Sequence, residues 1–234
     1  MKKIFNLPAR YSASLLLIGA AVFALSSCSK DEGITPRQPA AGLMAFNLAP
    51  DKPSVGFTLS GAQLTSSGLP YTGYTGQYLA VAPGSRQLAS YDAAAGTPIL
   101  TSTHIFKDSS YNSAFLIGAN GFYRHVVTED RLDTLRPVSG KAWVRYINAI
   151  ADTTLRPNVT INGNTEGAVF GTISNFEPVN AGNLAASISV ENTSRTITVE
   201  ENKVYTILFV GITNQTNTAL APQVKFIVNG TVTN

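Results

Sequence analysis

The residue types that most often carry chemistry are scarce in this sequence. It has one cysteine, Cys28, and two histidines, His104 and His125. A metal site needs clustered His, Cys or carboxylate ligands, and a nucleophilic enzyme needs a serine or cysteine beside a base. The HExxH, G-x-S-x-G and P-loop spacings do not occur. We therefore expect no metal site, no cofactor and no catalytic residue, and we interpret both histidines as strand-face residues.

The first 27 residues have the three zones of a secretory signal peptide. Lys2, Lys3 and Arg10 form a basic zone without acidic residues, an apolar run extends from Leu15 to Leu25, and small residues follow. That run makes a helix of about 16 Å, which is too short for a bilayer core of about 30 Å. The sequence therefore predicts that residues 1–27 are removed on export.

The segment LSSC, residues 25–28, resembles the lipobox of bacterial lipoproteins. In that family the cysteine becomes the first residue and carries acyl chains, palmitate among them, on its thiol and its amino group. Two or more chains anchor stably, at about 0.8 kcal/mol per buried CH₂, whereas one chain binds only marginally. The resemblance implies a lipid anchor at Cys28. A buried free thiol is the alternative, since one cysteine allows no disulfide within the chain.

The residues after Cys28 are polar and acidic. Asp31 and Glu32 resemble the signal by which some Gram-negative bacteria export lipoproteins to the outer face of the outer membrane. The resemblance implies an outer-membrane protein exposed at the cell surface; a merely solvated acidic stretch is the alternative. Residues 28–41 contain two prolines and almost no large apolar side chain, which predicts a flexible tether.

The charge balance argues against nucleic acid as a partner. The chain has 17 Lys and Arg against 14 Asp and Glu, and removal of three basic residues with the signal peptide leaves 14 of each. A neutral chain has no basic field to attract phosphate.

Three sequence blocks recur in the same order in the two halves of the chain. Each half has a strand ending in Asn with Asp four residues later, then an alternating strand ending in Gly, then later blocks of shared pattern. The pairs are Asn47 with Asn148, Asp51 with Asp152, Gly61 with Gly163, Gly73 with Gly171, Tyr78 with Phe176 and Gly84 with Gly182. Such recurrence predicts tandem copies. Asn and Asp at strand ends commonly hold turns, so we expect that role for both pairs.

Many short alternating segments predict an all-β fold. Asn162-Gly163 is a strong signal for a hairpin turn, and copies of this size fit immunoglobulin-like β-sandwiches. We predict a first β-sandwich domain over residues 42–138 and a second over residues 139–234.

The ordered blocks also resemble one protein family. The first strand with its N-x-x-x-D, the strand ending in Gly, the segments YLAVAPG and FEPVNAG, and VYTILFVG together are similar to the domain-of-unknown-function family numbered 4397. The similarity covers residues 42 to about 234 and is clearer in the second half. It implies a secreted, β-rich, often lipid-anchored protein with no established reaction.

The segment LPYTGYTGQYLAV, residues 69–81, is the best candidate for ligand binding. Tyr71 and Tyr74 lie among glycines that leave aromatic faces accessible, and neither has an aromatic counterpart in the paired alignment of the second half, whereas Tyr78 is expected to pack inside. The function that we expect is a surface-anchored, non-enzymatic binding or adhesion module for a glycan or an envelope protein. A glycan hydrolase with a carboxylate pair, or a structural subunit of a larger outer-membrane assembly, is the alternative.

Overall fold

The computed structural model describes residues 37–233, which from Pro39 onward form one compact unit. The predicted all-β class is confirmed: the described residues form seventeen strands and one short 3₁₀ helix, Leu132–Thr134. The strands are β1 (Ala41–Leu48), β2 (Ser54–Leu59), β3 (Ala62–Gln63), β4 (Leu69–Pro70), β5 (Leu79–Val81), β6 (Gly84–Asp92), β7 (Pro98–Phe106), β8 (Tyr111–Ala119), β9 (Phe122–Glu129), β10 (Lys141–Ile150), β11 (Asn158–Ile161), β12 (Asn164–Gly167), β13 (Glu177–Asn180), β14 (Gly182–Ile188), β15 (Thr193–Val199), β16 (Lys203–Gly211) and β17 (Gln223–Thr231).

The two halves repeat the same two-sheet arrangement. In the first half the strand orders are β5-β1-β8-β9 and β3-β2-β6-β7, with β4 added beside β2. In the second half they are β13-β10-β16-β17 and β12-β11-β14-β15. The predicted duplication and the sandwich architecture are therefore confirmed. The division into separate domains 42–138 and 139–234 stays a prediction.

Turns fall where the sequence predicts them. Asn162 and Gly163 both have positive φ, at 51° and 84°. This is the conformation that a type I′ turn requires and that Asn-Gly adopts easily. The predicted hairpin between β11 and β12 is confirmed, with Ile161 paired to Asn164 across it.

The central strand pairs of the two halves are parallel. β1 pairs in parallel with β8, and β10 with β16. After their first one to three residues these strands are completely buried. Parallel strands covered on both faces have nearly continuous apolar sequences, and the runs LMAF and TILFV have that composition.

The two faces of these central strands contact different cores. On β1, Leu43 and Ala45 pack inside the first half, whereas Met44 and Phe46 pack against residues of the second half such as Ile147. The four sheets therefore stack, with the sheets that contain β1 and β10 in the middle. The two halves share one apolar core as well as having one each.

None of the helical residues within 37–233 belongs to a helix long and apolar enough to cross a membrane.

Candidate functional site

Three of the predicted site residues, Cys28, Asp31 and Glu32, lie outside the described residues. The lipid anchor and the export signal therefore stay predictions.

The repeated asparagines hold the turns that follow β1 and β10. Both side chains are buried, and each Oδ1 accepts a hydrogen bond of 3.1 Å from the backbone N–H two residues later. Nδ2 of Asn47 donates to the carbonyl of Leu69 at 3.1 Å, and Nδ2 of Asn148 donates to that of Ala168 at 2.7 Å. The predicted turn role of both asparagines is confirmed.

The repeated aspartates tie each turn to the segment after the neighbouring parallel strand. Asp51 accepts a hydrogen bond from the backbone N–H of Asn120, in the β8–β9 turn, at 2.9 Å. Asp152 accepts from the N–H of Thr154 at 2.9 Å and from the hydroxyl of Thr213, after β16, at 3.3 Å. The hydroxyl of Thr154, which also donates to Asp152 at 2.6 Å, contributes most to lowering the pKa of Asp152, followed by the N–H of Thr154, and Thr213 contributes least. Recurrence in both halves fits a role in the fold.

Tyr71 and Tyr74 are half-buried against the core shared by the two halves. The ring of Tyr74 stacks on Phe46 with centroids 5.4 Å apart, so one of its faces is covered. The hydroxyl oxygen of Tyr71 is buried without a hydrogen-bond partner in the described chain, and burial raises its pKa. Packing against the shared core accounts for the positions of both rings, and ligand binding by them stays a prediction.

The structure corrects the alignment of this segment by one residue. The carbonyl of Asn47 accepts from the N–H of Thr72 at 2.8 Å, whereas that of Asn148 accepts from the N–H of Gly171 at 2.7 Å. Gly171 therefore corresponds to Thr72, and Gly73 is not its counterpart. Tyr71 then corresponds to Phe170, so the expectation that it lacks an aromatic counterpart is wrong.

A buried ion pair joins the two halves. Nη1 of Arg145, on β10, lies 2.6 Å from Oδ1 of Asp130, which follows β9, and both side chains are at most 2% exposed. Nη2 donates to Ser113 at 3.0 Å, and Nε donates to Thr206 at 3.0 Å. The central carbon of the guanidinium lies over the ring of Phe176, 4.4 Å from its centroid. Every part of the Arg145 head group therefore has a partner.

Tyr78 and Asn229 close this network. Tyr78 donates to Oδ2 of Asp130 at 2.5 Å, and Asn229 accepts from Thr206 at 2.6 Å. Burial, followed by the charge of Asp130, raises the pKa of Tyr78. The inward packing expected of Tyr78 is confirmed: its ring packs against the shared core and Tyr111, and its hydroxyl bonds the carboxylate of Asp130.

The two histidines meet, although they come from different sheets. Oγ of Ser102 lies 2.8 Å from Nε2 of His104 and 2.6 Å from Nδ1 of His125, and Nε2 of His125 lies 3.1 Å from Oγ of Ser90. Ser90 donates to the carbonyl of Leu100 at 3.5 Å. Because the hydroxyl of Ser90 donates to a carbonyl, its oxygen accepts from Nε2 of His125, and Nδ1 of His125 then accepts from Ser102. The oxygen of Ser102 in turn accepts from Nε2 of His104.

Burial disfavours the charged form of both imidazoles. Burial, and secondarily the nearby His104, lower the pKa of His125 to about 4, and burial lowers the pKa of His104. Both histidines lie on strands, as expected, but the sequence did not show that they share Ser102. Within residues 37–233 no three His, Cys, Asp or Glu side chains come close enough to hold a metal ion.

The second half contains a cavity of about 430 Å³ between the edges of its two sheets. Its apolar lining comes from Val144, Val159, Ile161, Pro178 and Val179. Its polar lining comes from Arg145, Tyr146, Asn162, Asn164, Thr165, Glu166, Ser174 and Glu177. Tyr146 is buried, and burial followed by its hydrogen bond to Glu166 raises its pKa. An apolar wall with convergent polar groups is the usual composition of a ligand site.

The first half has apolar residues at the matching positions. Leu43 of β1 corresponds to Val144 of β10. Leu43 pairs across the sheet with Leu79, and Val144 pairs with Glu177, so Leu79 corresponds to Glu177. The hairpin register in the same way aligns Leu64 with Glu166. Counting from the paired asparagines, Met44 and Ala45 correspond to Arg145 and Tyr146. Comparing the two copies position by position in the sequence could have shown these substitutions, but the alignment needs the structural register.

The fold and the cavity together define a class: an all-β protein of two similar sandwich halves that share a core, one of them carrying an open polar cavity. The chain belongs to the family described as "Domain of unknown function (DUF4397)", whose model matches residues 41–160. The matched range runs from β1 into β11, so the family assignment rests on the first half and the start of the second. A search of curated proteins found no match to the chain.

Proposed function

We propose that the chain is a surface-anchored, lipid-modified protein that binds a glycan, without catalysing a reaction, in the cavity of its second half. The cavity carries this proposal: about 430 Å³ accommodates a sugar residue or two, and hydroxyl, amide and carboxylate groups share its lining with an apolar wall. Sugars present the matching surface, since hydroxyl groups alternate with apolar C–H faces. The lipobox-like LSSC and the tether support attachment outside the cell.

The test uses the full chain, extracted in detergent and applied to a glycan array. We expect binding of a restricted set of glycans. Removal of the exposed side chains at the cavity rim, Asn164→Ala with Thr165→Ala, should weaken that binding at least ten-fold. The matched control is Gln63→Ala, because Gln63 occupies in the first half the position of Thr165. An unchanged glycan profile in the rim variant would remove the cavity as the site.

A glycan hydrolase is the second candidate, because Glu166 and Glu177 line the same cavity. Two carboxylates about 5–10 Å apart are the usual machinery for glycosidic cleavage. Release of reducing ends from a bound glycan, abolished by either Glu166→Gln or Glu177→Gln, would favour this candidate. A bound glycan recovered intact after long incubation would favour the binding protein.

A further inference from the structure

We propose that the cavity selects a glycan that carries a primary ammonium group, as a de-N-acetylated amino sugar does. This inference rests on the proposed function and names the substrate class of the same site. It follows from the charges that line the cavity and from the residues that replace them in the first half.

Among residues 37–233, the cavity lining has two carboxylates and no available cation. Glu166 and Glu177 supply the negative charge, and Arg145 is the one basic residue that the described part of the chain contributes to the lining. The charge of Arg145 is matched by Asp130 at 2.6 Å, and its other nitrogens donate to Ser113 and Thr206. The lining therefore has an unbalanced negative charge that a cationic ligand would neutralise.

The carboxylates have acceptor capacity left for a ligand. An ionised carboxylate offers about four acceptor positions, and within the described chain Glu166 has the hydroxyl of Tyr146 as its hydrogen-bonding neighbour. Neither Glu166 nor Glu177 takes part in an ion pair among residues 37–233. An ammonium group with three donors fits such a site, and the apolar wall fits the C–H face of a sugar ring.

The fold does not require these charges. Leu64 and Leu79 occupy the equivalent positions in the first half, where Leu64 packs against the core. Both carboxylates are therefore specific to the half that contains the cavity. Glu166 accepts from the hydroxyl of Tyr146, a contact that a neutral glutamine could also make. Because both charges line one cavity and have leucine at the matching positions of the first half, we assign them to ligand binding.

The experiment compares two oligosaccharides that differ only in N-acetylation. A glucosamine tetramer and an N-acetylglucosamine tetramer are titrated calorimetrically into the full chain in detergent at pH 6, low salt. We expect the glucosamine tetramer to bind at least ten-fold more tightly. The isosteric double variant Glu166→Gln/Glu177→Gln should abolish that preference, whereas Glu200→Gln, an exposed carboxylate outside the cavity, should retain it.

Equal affinity for the two tetramers in the parent protein, unchanged in the double variant, would overturn the charge inference and leave glycan binding intact. Absence of binding to both tetramers, with a positive glycan array, would also overturn it while the proposed function stands. A thermal melt of the double variant, expected to match the parent, separates loss of charge from loss of folding.

Discussion

The two halves of this molecule place their polar interior groups in different parts of the same fold. In the first half a chain of Ser90, Ser102, His104 and His125 lies between the sheets on the β7–β9 side. The strand register puts Ile188, Ile197 and Val224 at the positions of Ser90, His104 and His125 in the second half. There these residues belong to the apolar core.

The second half differs on the opposite side of its sandwich. Arg145, Tyr146, Glu166 and Glu177 stand where the first half has Met44, Ala45, Leu64 and Leu79. Apart from Ser102, whose counterpart is Arg195, each of these polar residues thus has an apolar counterpart in the other copy. Each half therefore serves as a comparison for the other, because the two halves have the same fold and differ in which positions are polar.

The largest expected effect comes from the ion pair that joins the halves. Arg145→Met introduces the residue of the first half and leaves Asp130 buried without its cation. Removing one partner of a buried pair costs about 3–5 kcal/mol. We expect a loss of this size in the free energy of unfolding, measured by urea denaturation.

The double variant Asp130→Asn/Arg145→Met is the control for this experiment. It removes both charges and should recover most of the stability, because replacing a buried pair by uncharged groups is often nearly neutral. An Arg145→Met variant within about 1 kcal/mol of the parent would show that the halves do not depend on the pair.

The hydrogen-bonded histidines of the first half should make the stability of the protein depend on pH, which the apolar residues at the same positions of the second half cannot do. His125 titrates near 6.5 in the unfolded chain and at about 4 in the folded one. Its folded pKa is depressed, so its contribution is fully present above pH 6.5 and is lost as the pH falls to 4, where the unfolded state binds the additional proton. We expect the free energy of unfolding to fall by about 3 kcal/mol across this window, with His104 acting in the same direction.

The matched variant for the pH experiment is His125→Val, which installs the residue found at Val224. Its stability should vary much less between pH 4 and pH 6.5, as followed by denaturation at a series of pH values. If the parent and the variant lose stability in parallel over that range, another group is responsible.

Local patterns predicted the strands, the hairpin at Asn162-Gly163 and the duplication, because these depend on neighbouring residues. The parallel pairing of β1 with β8 and the core shared through Phe46 and Ile147 depend on contacts between distant segments. The runs LMAF and TILFV were signals for strands buried on both faces, and they indicate which strands are central. They do not specify which sheets meet.

The candidate site was harder to predict for the same reason. Glu166 and Glu177 lie on separate strands, and each is unremarkable in sequence. The two histidines are the only ones in the sequence. Their contact through Ser102, however, requires the edge strands β7 and β9 of two stacked sheets to lie side by side. The sequence repeats also align with a one-residue error at Tyr71, and backbone hydrogen bonds are needed to show that Tyr71 corresponds to Phe170.

The smallest expected effect concerns Tyr71, whose counterpart in the second half is Phe170. Its buried hydroxyl has no hydrogen-bond partner in the described chain, and an unsatisfied buried polar group costs about 1–3 kcal/mol. Tyr71→Phe should therefore leave the free energy of unfolding unchanged or raise it by up to about 1 kcal/mol, as measured by urea denaturation. The same variant tested on the glycan array separates packing from recognition. Glycan binding that survives the substitution assigns Tyr71 to the shared core, whereas binding lost from a protein of undiminished stability would mean that the hydroxyl is reserved for a ligand.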